Sequence, residues 1–205
     1  YENGDRFYIY TGRGPSSGSL HIGHLIPFLT AKYLQDIFDA PVFIQLSTDE
    51  KYLRDNLSLE EVEAMARSNA HDIMSLQFNP DKTLIISNFS AIEQLYPTTM
   101  NILRHITVKQ MTSTFGINDG DKLGNYYFPA IEAAPAFHCA LTGIIDNHPR
   151  CLVVLGLDQD PYFRKKFYTE IIPFLKKEGF TIIAVTHDDK YYHCADKLYK
   201  MDYGK

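Results

Sequence analysis

Five short apolar runs set the terms for this chain. "FYIY" (7–10), "PVFIQLS" (41–47), "TLIIS" (83–87), "CLVVLGL" (151–157) and "FTIIAVT" (180–186) are almost free of charged residues. Each has the length of a strand rather than a helix. A strand with one wet face alternates apolar and polar residues, whereas a strand apolar throughout is covered on both faces. Between the runs the spacing turns helical. Ser58 followed by Glu61 forms a capping box at the head of a segment whose Leu59, Val62, Met65, Ala66, Ile73 and Leu76 lie near helical spacing. Leu95 to Phe115 reads as one helical stretch with Pro97 in its first turn. "NDGDKLGNYY" (118–127) reads as a loop, and 158–179 as a helix starting near Pro161 and stopping at Gly179. Covered strands separated by helices predict an α/β fold built on a doubly wound parallel sheet.

Ligands of such sheets bind beyond the carboxyl ends of the strands, near the point where strand order reverses. The polar clusters fall there: Thr11 to His24, Ser47 to Lys51, and Asp158 to Asp160. The first reads "TGRGPSSGSLHIGH". Gly12, Gly14 and Pro15 suit a tight turn that a ligand can approach closely. The helix that follows offers unpaired N–H groups and the positive end of its dipole. His21 and His24, three residues apart, face the same way on a first helical turn and add two imidazole donors. That combination suits a polyphosphate. The spacing matches neither GxxxxGK[ST] nor the full GxGxxG.

Composition narrows the classes. The 205 residues, 45% hydrophobic, can fill one core. The net charge of −5 is mixed along the chain, which argues against tight nucleic-acid binding by this portion alone. Arg164, Lys165 and Lys166 read as a solvated helix face. No run approaches the roughly 18 apolar residues of a membrane span, and no charged-then-apolar leader is seen. Cys139, Cys151 and Cys194 are an odd set without metal-site spacing. Reduced thiols in a cytoplasmic setting are expected, and no metal site, with His187 and "HCADK" read as surface. The first residue is Tyr1, so the chain is expected to be a portion of a longer protein.

"HIGH" preceded by "YTGRGPSS" resembles the class I aminoacyl-tRNA synthetases, and among them the tryptophanyl-tRNA synthetases of eukaryotic and archaeal type. "IQLSTDEKYL", "FPAIEAAPAF" and "LGLDQDPYFR" resemble further blocks of that family in the family's order, from Tyr1 to about Lys177. The resemblance implies that 1–205 is a Rossmann-like catalytic domain, with the helical anticodon-binding domain outside this chain. It also implies a tryptophan–tRNA ligase. Tryptophan's carboxylate attacks the α-phosphate of ATP, pyrophosphate leaves with Mg²⁺, and the amino acid passes to tRNA(Trp). A homodimer is implied as well.

Residue by residue, the resemblance assigns His21 and His24 to the ATP phosphates and Gly23 to the space beside adenine. Thr11, Gly12, Arg13 and Gly14 complete the ATP-binding turn. Tyr10 and Gln45 would meet the indole N–H, which can only donate, with Glu50 close behind. Gln159 matches the contact to the substrate ammonium, and Phe163 lines the pocket. Two positions depart from the family pattern. Glu132 stands where the family has glutamine. Lys200 and Met201 fall where a KMSKS-like loop is expected, but Asp202 replaces its serine. A carboxylate at 132 can hold an ammonium yet repels an α-phosphate unless it is protonated or paired. The alternatives are a synthetase-like binding or regulatory protein that has lost its chemistry, a tyrosyl-tRNA synthetase, or another HxGH nucleotidyltransferase.

Overall fold

In the computed structural model, residues 6–18, 20, 22–137, 150–156, 165, 167–177, 183–185 and 189–199 are described. Five strands form one parallel sheet in the order β3-β2-β1-β4-β5. They are β1 (Phe7–Arg13), β2 (Val42–Leu46), β3 (Thr83–Ser87), β4 (Arg150–Gly156) and β5 (Ile183–Val185). The expected α/β doubly wound architecture is the one observed. The chain builds outward from β1 to β3, then returns to set β4 against the other edge of β1. The order therefore reverses between β1 and β4, and the carboxyl ends of the strands share one edge of the sheet.

Alternation along the strands divides the core in two. Ile9, Val42, Ile44 and Val154 face α1 (Ile22–Phe38) and α3 (Leu59–Met74), packing on Phe28, Ala31, Leu34, Ala66 and Ile73. Tyr8, Tyr10 and Phe43 face the opposite way, onto Leu95 of α4 (Ile92–Leu103) and Ile131 of α6 (Gly124–Ala133). Both faces of the sheet are covered, which is why its strands carry no polar alternation.

Several boundaries differ from expectation. β1 runs three residues past Tyr10, so Thr11, Gly12 and Arg13 are strand rather than turn. Gly12 is small for a different reason than a turn: a Cβ there would lie 2.8 Å from the Gln45 backbone oxygen on β2. The polar run after β2 enters α2 (Thr48–Arg54) at once. The stretch Leu95–Phe115 is two helices. α4 ends at Leu103, and α5 (Val108–Phe115) opens with a capping box in which Thr107 and Gln110 exchange side-chain and backbone bonds. A threonine that can satisfy a fresh helix start competes with continuation of the old one. Pro97 stands inside α4, not in its first turn, because α4 starts earlier, at Ile92. The loop read at 118–127 is shorter, since α6 already includes Asn125 to Tyr127. The capping box of Ser58 and Glu61 is formed as expected. Of the helix expected over 158–179, a π-helical turn (Phe167–Ile171) leading into α7 (Ile172–Lys177) lies within the described residues.

Candidate functional site

β1 and β2 end side by side, Gly12 opposite Gln45 and Arg13 opposite Leu46. The polar groups named in the sequence gather about that edge.

On the α6 side, the Tyr10 hydroxyl lies 2.5 Å from both Gln45 Oε1 and the Glu132 carbonyl oxygen, sharing its hydrogen between two acceptors. Gln45, 1% exposed, gives its two amide hydrogens to Asn88 Oδ1 (2.8 Å) and the Ile131 carbonyl (3.2 Å). Asn88 passes the chain on, donating to Asp49 Oδ1 at 2.6 Å. Buried amides are costly unless satisfied, and this network satisfies them while holding Gln45 in one orientation. Gln45 Oε1 retains acceptor capacity beyond its bond to Tyr10.

Three carboxyl groups ring the network. Glu132 accepts from Ser47 Oγ at 2.6 Å, Glu50 accepts from Arg54 Nη1 at 2.7 Å, and Asp49 also takes the Glu50 backbone N–H at 2.9 Å. Asp49 Oδ2 is buried without a partner among the described residues. Burial pushes the Glu132 carboxyl up to about 7, helped by the neighbouring charges of Glu50 and Asp49 and opposed by the Ser47 bond. Burial likewise raises Asp49 and Glu50 from their ordinary values. Near neutrality Glu132 is thus poised between acid and anion, so a carboxyl can stand here without a permanent countercharge.

On the α1 and α3 side runs the Gly-rich segment. Arg13 folds over it, donating from Nε to the Gly14 carbonyl (3.0 Å) and from Nη2 to Ser16 Oγ (3.3 Å). Gly14 passes close to these carboxyl groups: a Cβ there would sit 3.3 Å from Glu50 Oε2. Gly18 has φ +76°, a conformation that favours glycine. Thr11 is buried, and its Oγ1 has no partner among the described residues. Gly23 and His24 fall in the first turn of α1.

Of the residues singled out from sequence, Tyr10, Gln45, Glu50 and Glu132 come together, and Thr11, Gly12, Arg13 and Gly14 lie beside them. His21, Gln159, Phe163, Lys200 and Met201 lie outside the described residues. Ser47 and Asp49, inside the polar cluster read at 47–51 but given no role there, belong to the assembly, as do Asn69, Asp72 and Asn88, which were missed. Of these three, Asn69 had a readable signal, a polar residue on the helical line of Val62, Ala66 and Ile73. Among the described residues no group of three or more His, Cys, Asp or Glu side chains could hold a metal ion, and no helix is long and apolar enough to cross a membrane. A separate groove of about 510 Å³ along α4, lined by Pro97, Asn101, His105 and Phe137 among others, touches none of these residues.

A doubly wound parallel sheet whose reversal point carries a Gly-rich segment and a helix start has the architecture of nucleotide-binding α/β proteins. No family model matches the chain. Over 170 residues it is 44% identical to the cytoplasmic tryptophan–tRNA ligase of Dictyostelium discoideum, covering 80% of this chain and 42% of that one. Over 169 residues it is 43% identical to the human cytoplasmic tryptophan–tRNA ligase, covering 80% and 36%. The tryptophanyl-tRNA synthetase of Encephalitozoon cuniculi, solved bound to tryptophan, superposes with a TM-score of 0.74 at 38% identity over 88% of this chain and 48% of that one. That of Plasmodium falciparum gives 0.74 at 41% identity over 90% and 51%. The chain belongs to the tryptophanyl-tRNA synthetase family. It spans about two-fifths of the length of the curated relatives it matches.

Proposed function

We propose that the chain is the catalytic portion of a tryptophan–tRNA ligase that joins tryptophan to AMP and then to tRNA(Trp). The observation that carries the reading is the shared edge of β1 and β2. An acceptor-rich cluster around Tyr10, Gln45 and Glu132 lies on one side of it, and the Gly-rich segment leading into α1 on the other. An amino acid seated in the first would meet a nucleotide seated on the second. The indole N–H would find acceptors in Gln45 Oε1 and the Tyr10 oxygen. A site that hydrogen-bonds its ligand rejects analogues lacking the donor far better than an apolar slot does.

The substrate carboxylate would attack the α-phosphorus; one P–O bond forms as the bond to pyrophosphate breaks. No protein nucleophile is required. The work is alignment and charge stabilisation. His21 and His24 would face the phosphates, with Thr11, Gly12, Arg13, Gly14 and Gly23 shaping the nucleotide site. Mg²⁺ would arrive with ATP as part of the substrate. Lys200 and Met201 would stand near the leaving pyrophosphate, and Gln159 and Phe163 near the amino acid. Glu132, with Glu50 behind it, would hold the ammonium. As an acid at the lower end of its range Glu132 would spare the α-phosphate a full negative neighbour. Contact with tRNA would fall largely to a helical domain outside this chain, and the protein would act in the cytoplasm as a homodimer.

The test is ATP–pyrophosphate exchange in the full-length protein, with tryptophan and then tyrosine. Exchange with tryptophan alone is expected. Exchange with tyrosine would overturn the substrate, and tryptophan binding without exchange would leave a binding protein rather than a ligase.

A further inference from the structure

The Gly-rich segment is held from below by one helix. Asn69 Oδ1 accepts from the Ser16 backbone N–H at 2.9 Å, and Asn69 Nδ2 donates to the Ser16 carbonyl at 3.1 Å. A single side-chain amide thus pairs both backbone groups of one residue, as a neighbouring strand would. One helical turn further on, Asp72 Oδ2 accepts from the Leu20 N–H at 3.1 Å. Residues 69 and 72, three apart, lie on the same side of α3.

Asn69 is fully buried on a line otherwise made of Val62, Ala66 and Ile73. An aliphatic residue would serve packing there without an amide to desolvate. The two contacts fall on Ser16 and Leu20, in the sequence just ahead of the HIGH motif. α3 is itself tied to the strand ends: Ser87 Oγ, at the end of β3, donates to Glu63 Oε1 at 2.7 Å. A line of bonds therefore joins the carboxyl edge of the sheet to the segment before α1.

We propose that Asn69 and Asp72 are positioning residues for nucleotide binding. Through them α3 holds the backbone of Ser16 and Leu20, and so the approach to α1, in the arrangement that receives the ATP phosphates. This rests on the reading of residues 11–24 as the ATP site. Backbone held in place before the ligand arrives need not be ordered by it, and misplacement of a reacting group by about 1 Å can cost on the order of a hundredfold in rate. The predicted loss falls on ATP and not on tryptophan, because the Tyr10–Gln45–Asn88 network shares no hydrogen bond with Asn69 or Asp72.

The experiment is ATP–pyrophosphate exchange in full-length protein at varied ATP, with tryptophan affinity measured separately by equilibrium dialysis. Asn69→Ala and Asp72→Ala should each lower kcat/KM for ATP by about tenfold or more, with the tryptophan Kd within about twofold of the parent. Asp72→Asn keeps an acceptor for Leu20 N–H and should restore most of the loss. Gln35→Ala is the control: this buried amide on α1 bonds Asn79 N (2.9 Å) and Thr83 Oγ1 (3.0 Å), away from the site. It should lower the melting temperature and leave ATP parameters alone. If Asn69→Ala does not fold, the Asp72→Ala and Asp72→Asn pair decides. Unchanged ATP parameters, or ATP and tryptophan parameters falling together as stability falls, would overturn the positioning role. Absence of exchange in the parent protein would overturn the ATP reading, and the proposal with it.

Discussion

Ser47 Oγ donates a 2.6 Å hydrogen bond to Glu132 Oε1 across 85 residues of sequence. It ties the end of β2 to α6 and sets a carboxyl beside Gln45. The behaviour of that carboxyl can be followed by pH. Held at about 7 against an ordinary 4.5, Glu132 binds its proton more tightly in the folded chain than in the unfolded one. Its contribution to stability is complete below about pH 4.5 and is lost as pH rises through 7. Glu132→Gln should therefore match the parent near pH 4 and exceed it at pH 8 by roughly 1–3 kcal/mol, read from urea denaturation at both pH values. The parent's tryptophan affinity should increase from pH 6 to 8 as Glu132 ionises, while the variant's stays flat. A parallel pH dependence in the two proteins would remove Glu132 from the ammonium site.

Gln45→Ala strips Asn88 and the Ile131 carbonyl of donors and Tyr10 of an acceptor. Orphaned buried groups cost about 1–3 kcal/mol each. Tryptophan affinity should fall by about tenfold or more while the ATP KM changes by less than about threefold. Dialysis with labelled tryptophan and an ATP titration separate the two, and equal losses would count against an indole role.

Gly12→Ala forces a Cβ against the Gln45 backbone oxygen at 2.8 Å. Neither strand can move aside without breaking the β1–β2 ladder. A loss of roughly 1–3 kcal/mol is expected, measured by urea titration, and an alanine tolerated at no cost would show that the strands can part there.

His21→Ala combined with His24→Ala should slow adenylate formation by about a hundredfold or more, since both would act on charge developing at the phosphates. Single-turnover kinetics with saturating tryptophan is the readout. An unchanged rate would relocate the phosphate site.

The strands were legible because a covered parallel strand shows itself as an uninterrupted apolar run, and each of the five runs holds a strand among the described residues. The start of α3 was legible from two residues, Ser58 and Glu61, because a capping box is local chemistry. The break between α4 and α5 is also local, through Thr107 and Gln110, but it sits inside a run whose apolar spacing reads on as one helix. Gly12 shows the limit most plainly. A glycine beside a turn reads as part of the turn, and only the register of β1 against β2 reveals the oxygen it must avoid.

By itself, then, the order of residues determined the layers of the fold, the strand ends at which a ligand belongs, and a Gly-rich segment with two histidines of a kind suited to phosphate. Those features depend on periodicities and neighbours within a few positions. Tertiary structure alone decided that Gln45 would spend its amide on Asn88 and Ile131, that Asp49, Glu50 and Glu132 would share one poorly solvated space, and that Asn69 and Asp72 would reach the segment ahead of α1. Each depends on groups brought together from 40 or more residues apart, or on water removed when the layers close, and neither distance nor solvation is encoded at a single position.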